Sequence, residues 1–178
     1  MGVSTSQKFE KGIILWGGIS SLGLIPQNAP IDFTSCLRNK GVKYSTGQLY
    51  AEFIRTKGAL AIHKVFNQHG VQPIFQDDQD TKQRTQNVLN TINDLFDERI
   101  DIEDGDAKFA DLWPIENVWG AIKTKIGGVE YANQRALITA INKAWREFTP
   151  EKCQEMMGKI PSRLQKIIQS NGEQIFKC

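Results

Sequence analysis

Two segments of the chain carry acidic side chains at positions where carboxylates could do chemistry. The first holds Asp77, Asp78 and Asp80, directly after a short apolar segment that ends at Phe75. Carboxylates just past a strand can be held in fixed directions while staying open to solvent, and their oxygens are the ligands that Mg²⁺ prefers. The segment is therefore a candidate magnesium site. On these residues alone the favoured interpretation is a solvated loop in which Asp80 caps a helix that begins near Thr81, because Asp-rich loops are common.

The second acidic position is Glu116, within residues 111–119 (DLWPIENVW). Pro114 is typical of the first turn of a helix, so the Glu116 carboxylate is expected on a rigid element close to the edge of the core. The alternative role of this carboxylate is favourable charge at a helix N-terminus, worth about 0.3–1 kcal/mol.

The elements that must position these carboxylates follow from the apolar pattern. Residues 12–26 predict two strands joined by a tight turn, with glycines that indicate a bulge. Further short strands are predicted around residues 31–33, 71–75 and 99–103. Apolar residues recur at three- and four-residue intervals elsewhere, which predicts helices over 45–68 (with Gly58 as a possible interruption), 81–96, 114–126 and 133–148.

Two shorter helices are predicted near the end of the printed sequence. Thr149 is expected to cap the first, with Pro150 at its first position, and Pro161 is expected to open the second. The order of elements predicts a mixed α/β or α+β domain with a helical C-terminal part.

Length and composition are those of an ordinary globular domain, with 178 residues of which 40% are hydrophobic and 24% charged. No apolar run approaches the ~18 residues that a membrane span needs, so we expect neither membrane insertion nor secretion. The three cysteines are far apart and odd in number, which predicts reduced thiols in a cytosolic or nuclear protein. The formal net charge of +2 does not by itself indicate a nucleic-acid binder.

Four motifs, in the order in which they occur here, resemble those of the catalytic domain of mariner-type, Tc-like DDE transposases. Residues 11–26, with LWGGIS at their centre, resemble the family's second and third strands, which contain Trp-Gly. Residues 75–78 (FQDD) resemble its Phe-Gln-x-Asp, and residues 111–119 resemble its Asp-Leu-Asn-Pro-Ile-Glu-Asn-Leu-Trp. Residues 160–164 (IPSRL) resemble its C-terminal signature. Together the motifs span nearly the whole chain, which makes the resemblance specific.

This resemblance implies an RNase H-like α/β fold, a mixed sheet flanked by helices. It implies that Asp78 and Glu116 are two of three catalytic carboxylates and that they bind Mg²⁺ or Mn²⁺. In the chemistry so implied, carboxylate-bridged ions activate a water or a DNA 3′-hydroxyl for phosphodiester cleavage and strand transfer. Asp77 is the alternative to Asp78, because consecutive residues of an extended segment point in opposite directions.

The chain also departs from the family's pattern. The first catalytic Asp of the family lies on a strand upstream of the Trp-Gly strand, and here residues 1–12 hold only Glu10 as an acid. We therefore expect residues 1–178 to be a single transposase-type domain without its first, central strand and without the N-terminal helix-turn-helix region. Residues 78–83 (DQDTKQ) also lack the family's Asn and His, and Trp113 replaces an Asn. Two ligands out of three predict a weak metal site and an inactive or impaired enzyme.

A missing central strand would leave two sheet edges unpaired, and such edges accept a strand from a partner or from a second copy. The competing hypothesis is therefore a domesticated, non-catalytic module that binds nucleic acid or protein. DNA, the transposon ends in the parent family, is the expected partner, and it predicts a nuclear or cytoplasmic location. Lys123, Arg163 and Lys166 are weak candidates for phosphate contacts, since scattered basic residues on helices usually face solvent.

Other chemistry-bearing residues are expected to be structural. His63 and His69 are six positions apart, which does not match a helical metal pair. The tryptophans are expected to pack in the core rather than to stack on bases. Residues 101–106 (DIEDGD) predict a solvated acidic loop rather than a calcium site.

Overall fold

The computed structural model describes residues 12–77, 80–101 and 112–171. Over these ranges the chain is mixed α/β and mostly helical. The helices are α1 (Phe33–Asn39), α2 (Gly47–Phe53), α3 (Ala59–Phe66), α4 (Gln86–Leu95), α5 (Pro114–Ile126), α6 (Gln134–Trp145), α7 (Pro150–Gly158) and α8 (Ile160–Gln169). Short strands lie at β1 (Leu15–Trp16), β2 (Gly18–Ser20), β3 (Gly23–Ile25), β4 (Ile31–Asp32), β5 (Ile74–Phe75) and β6 (Glu98–Arg99).

The strands of the described ranges form three two-stranded sheets. β1 pairs with β4 and β2 pairs with β3, both antiparallel, and Gly18 faces Ile25 in the second pair. β5 and β6 are parallel, with Ile74 opposite Glu98, and the Ile100 amide extends the pairing by donating to the Phe75 carbonyl at 2.9 Å. The parallel pair is connected through α4, as a parallel connection requires.

The hairpin of β2 and β3 separates two apolar clusters. Ile25 packs with α1–α4 in one cluster, whereas Leu24 packs with α5–α7 in the other. Consecutive strand residues point to opposite faces, so helices cover both faces of this small sheet. Trp16 and Leu15 of β1 divide in the same way between the two clusters. We call these the α1–α4 cluster and the α5–α7 cluster.

Most predicted helices are present, and the differences have local causes. The helix predicted over 45–68 consists of α2 and α3 joined by a π-helical turn, Ile54–Gly58, so Gly58 does not end it. The helix predicted from Thr81 begins later, at Gln86, after a turn that spans 81–84. In addition, α1 was not predicted. Its signal is the cap at Asp32, whose carboxylate accepts from the Ser35 amide at 2.9 Å.

The strand predicted around residues 31–33 is β4, and the one predicted over 71–75 is confined to β5. The strand predicted over 99–103 is present in part as β6, since residues 102–111 lie outside the described ranges. Within the described ranges no helix has the length and apolarity that crossing a bilayer requires.

Candidate carboxylate site at the start of helix α5

Glu116 lies in the first turn of α5, on a helix end that is fixed by packing. Pro114 occupies the first helical position and is fully buried. Val118 and Ile122 continue the inward face into the α5–α7 cluster. Glu116 itself is exposed, and its amide donates to the Trp113 carbonyl at 3.2 Å. The sequence therefore correctly predicted the helix, and the carboxylate projects from its solvent side.

Among the described residues, none forms a hydrogen bond or ion pair with the exposed Glu116 carboxylate. Its oxygens have the chemistry that a hard divalent cation prefers. The capping residue Trp113 makes no side-chain hydrogen bond to the helix. The entry of the chain into α5 must therefore be held by other contacts.

Arg163 of α8 supplies such contacts. Its Nη1 donates to the Leu112 carbonyl at 3.2 Å, directly before the cap of α5. When the Asn117 amide is oriented with its oxygen towards the guanidinium, Nη1 and Nη2 lie 3.3 and 3.2 Å from that oxygen. This orientation is the one that satisfies the hydrogen-bonding groups on both sides. One guanidinium thus bridges the residues before and after Glu116.

The aspartates after β5 are only partly within the described ranges. Asp77 is described and half-buried, whereas Asp78, the predicted ligand, lies outside the described residues together with Gln79. Asp80 accepts from the Lys82 amide at 2.9 Å and so caps a turn. The alternative in which Asp80 caps a helix at Thr81 is wrong, because α4 begins at Gln86 with Thr85 as its cap.

No group of three or more His, Cys, Asp or Glu side chains that could hold a metal ion occurs within residues 12–77, 80–101 and 112–171. Glu116 is therefore one exposed carboxylate rather than a member of a described ligand cluster. A site that combines Glu116 with Asp78 involves a residue outside these ranges and stays a prediction.

The basic candidates fall in different environments. Lys123 on α5 and Lys166 on α8 are exposed. Arg163, predicted as a phosphate contact, is half-buried and donates to the start of α5. Sequence reasoning missed this contact. The available signal was that Arg163 and Asn117 both lie within segments that resemble motifs of one family.

Three of the tryptophans that were expected in the core pack against other aromatic rings, whereas His69 is exposed. Trp119 and Trp145 pack with ring centroids 5.1 Å apart, and Trp16 packs edge-on against Phe53. His63 stacks on Phe96 with centroids 5.4 Å apart. Residues 102–106 of the predicted acidic loop lie outside the described ranges.

Comparison with known proteins finds two transposases to which part of this chain is similar. The chain is 27% identical over 100 residues to the Transposable element Tc1 transposase of Caenorhabditis elegans, and 24% identical over 99 residues to the Tcb1 transposase of Caenorhabditis briggsae. The chain is related to the Tc1/mariner transposases. Each match covers 56% of this chain and 35% of the relative, so the matched stretch spans about a third of those proteins. No family model matches the chain.

This relationship agrees with the family that the motifs indicated. The resemblance deduced from their order is thus confirmed at the level of the family, at modest identity.

Proposed function

We propose that this chain is a transposase-derived domain that acts on DNA, with Asp78 and Glu116 as its metal-binding carboxylates. Support comes from the relationship to the Tc1 and Tcb1 transposases. The observation that carries the proposal is the Glu116 carboxylate, exposed and unengaged by described residues on the anchored first turn of α5. Catalytic activity of this chain alone forms no part of the proposal, because the matched stretch covers only 35% of each relative.

The architecture that we propose is RNase H-like. Helices on both faces of a small sheet and the parallel pairing of β5 with β6 support it. In this architecture Asp78 follows β5 in the sequence and Glu116 lies in the first turn of α5, and we propose that these two carboxylates share one metal site. Asp77 is the alternative to Asp78, since only one of two consecutive extended residues faces a given side.

Each part of the site has a role in the proposed chemistry. A bound Mg²⁺ or Mn²⁺ supplies Lewis-acid stabilisation of charge at a phosphodiester and lowers the pKa of a bound water. Glu116 and Asp78 would hold the metal ion at a fixed place, and the buried Pro114 keeps the Glu116 backbone rigid. Lys123 and Lys166 are exposed and can contact DNA phosphates. The location that we propose is the nucleus, because the proposed substrate is chromosomal DNA.

The test is the affinity of the full chain for Mn²⁺, followed by paramagnetic broadening of backbone amide NMR signals, which also reports weak sites. We expect Glu116→Gln and Asp78→Asn each to raise the dissociation constant by at least about tenfold, since even partners outside the ligand shell contribute that much. The same measurement on Asp77→Asn shows whether Asp77, rather than Asp78, binds the ion.

The matched control is Glu151→Gln. Glu151 is also an exposed first-turn glutamate, on α7, one position after Pro150. Loss of Mn²⁺ affinity in Glu116→Gln with affinity retained in Glu151→Gln supports the proposal. Equal affinity in both variants and in the unchanged chain would show that Glu116 is no ligand.

A non-catalytic binding module is the second candidate, and the sheet arrangement favours it. The described strands form three separate two-stranded sheets, and an unpaired strand edge can accept a strand from a partner. If the chain is such a module, the double variant Asp78→Asn/Glu116→Gln should still bind its partner. Substitutions on an edge strand should abolish that binding. The opposite result favours the metal-dependent function.

A further inference from the structure

The guanidinium of Arg163 connects α8 to the turn that carries Glu116. Arg163 lies 51 positions after Leu112, to whose carbonyl its Nη1 donates at 3.2 Å. The same guanidinium lies 3.2–3.3 Å from the Asn117 side-chain oxygen in the orientation that satisfies both groups. Leu112 is buried, Arg163 is half-buried and Asn117 is exposed, so the bond to the Leu112 carbonyl is the one that is partly shielded from water.

These contacts reach the chain on both sides of Glu116, at a backbone carbonyl before it and at a side-chain oxygen after it. The Leu112 carbonyl comes just before the cap of α5, and Asn117 directly follows Glu116 in the first turn. A guanidinium presents its donors in a planar, fixed fork, so bonds to two acceptors restrict their relative position more than a single ammonium could. The cap residue Trp113 makes no side-chain hydrogen bond to the helix. The guanidinium does not replace a cap, because it donates where a cap side chain accepts, but it restrains the segment that enters the helix.

We propose that Arg163 is a positioning residue that holds the first turn of α5, and with it the Glu116 carboxylate, in its metal-binding orientation. The part of this inference that concerns metal binding rests on the proposed function. It assigns Arg163 a role at the carboxylate site rather than in contact with DNA.

The experiment compares Arg163→Met and Arg163→Lys with two controls in the full chain. Lys159→Met removes a positive charge next to α8, where Lys159 pairs with Glu155 of α7 and not with α5. Thr149→Ala removes the cap of α7 and so lowers stability without touching α5. Two quantities are measured: the Mn²⁺ dissociation constant, and the hydrogen-exchange rates of the backbone amides of residues 116–119.

We expect Arg163→Met to raise the Mn²⁺ dissociation constant roughly tenfold, the lower end of what residues behind metal ligands contribute. Arg163→Lys raises it less, because lysine can still donate to the Leu112 carbonyl but lacks the second planar donor. Exchange at residues 116–119 becomes faster in Arg163→Met and stays unchanged in Lys159→Met.

Two results would overturn the inference alone: an affinity loss in Arg163→Met no larger than in Thr149→Ala, or unchanged exchange at residues 116–119. Either can occur while Glu116→Gln still loses affinity, which leaves the proposed function intact. Unchanged affinity in Glu116→Gln overturns the proposed function and the metal-binding part of the inference together.

Discussion

Gly17 lies between β1 and β2, where the indole of Trp145 packs directly on the backbone. A Cβ at this position would overlap Cη2 of Trp145 and would lie 3.1 Å from Cζ2. Trp145 cannot move away easily, because it is fully buried and its Nε1 donates to the Pro26 carbonyl at 2.8 Å. We expect Gly17→Ala to lower the free energy of unfolding by about 1–3 kcal/mol, the usual range for overpacking.

Urea unfolding measures this change, with Gly120→Ala as the matched control. Gly120 lies in α5 with no atom within 4 Å of an added Cβ. Its replacement should be neutral or stabilise the helix by up to about 1 kcal/mol, because alanine has the higher helix propensity. If both variants had the same stability, the packing of Trp145 on Gly17 would not be the reason for the glycine.

Individual residues differed in how far the sequence could predict their roles. Trp145 was predicted in the core because it falls on a regular apolar face, which is a local pattern. Arg163 was only a weak candidate for a phosphate contact, because scattered basic residues on helices usually face solvent. Its acceptor at Leu112 is 51 positions away, so only the tertiary structure brings the two together.

At the scale of the element, α7 depends on its cap. The Thr149 hydroxyl accepts from the Lys152 amide at 3.4 Å, and a hydrogen bond to the same side chain is the largest cause of a lowered pKa at Glu151. We expect Thr149→Ala to cost about 1 kcal/mol of unfolding free energy. The pKa of Glu151 should then rise towards its ordinary value.

The sign of the pH dependence follows from the lowered pKa. A carboxyl group with a lower pKa in the folded state stabilises the fold above its unfolded pKa, and this contribution disappears as the pH falls through the folded value. The destabilisation by Thr149→Ala should therefore be smaller at pH 3 than at pH 7. Urea unfolding at both pH values and an NMR titration of Glu151 test this. Thr149→Ser retains the hydroxyl and should behave as the unchanged chain does.

Elements with chemical markers at their ends were predicted most accurately. α5 and α7 begin at Pro114 and Pro150, and α7 follows the cap Thr149, as the sequence indicated. The start of α4 was placed too early, because polar residues 81–85 are compatible with a helix while the structure forms a turn there. α1 was missed because its short sequence has no clear apolar period, although its cap at Asp32 was readable.

At the scale of the whole molecule, the sequence predicted the mixture of elements but not their layering. Leu24 and Ile25 belong to the same apolar run, and nothing local indicates that they enter different clusters. That division arises because strand residues alternate between faces and helices cover both faces. The Asp78 ligand could be reached only through the family resemblance, and it stays a prediction.

The arrangement of the strands in separate sheets leads to a testable prediction about association between chains. The strands of the described ranges form separate two-stranded sheets, and Ile74 on β5 is 61% exposed. Short sheets with available edges and an exposed apolar strand residue favour pairing between chains, whereas a charged strand residue opposes it. We therefore expect self-association that increases with protein concentration and that Ile74→Lys reduces.

Sedimentation velocity over a range of concentrations measures this association. Leu60→Lys is the matched control, because Leu60 is 66% exposed but lies on α3, where no strand edge is available. Strand pairing requires that Ile74→Lys shifts the chain towards monomer while Leu60→Lys does not. An equal shift in both variants would indicate general hydrophobic association. A monomer at every concentration, with a single cooperative melt, would mean that the edges are satisfied within one chain.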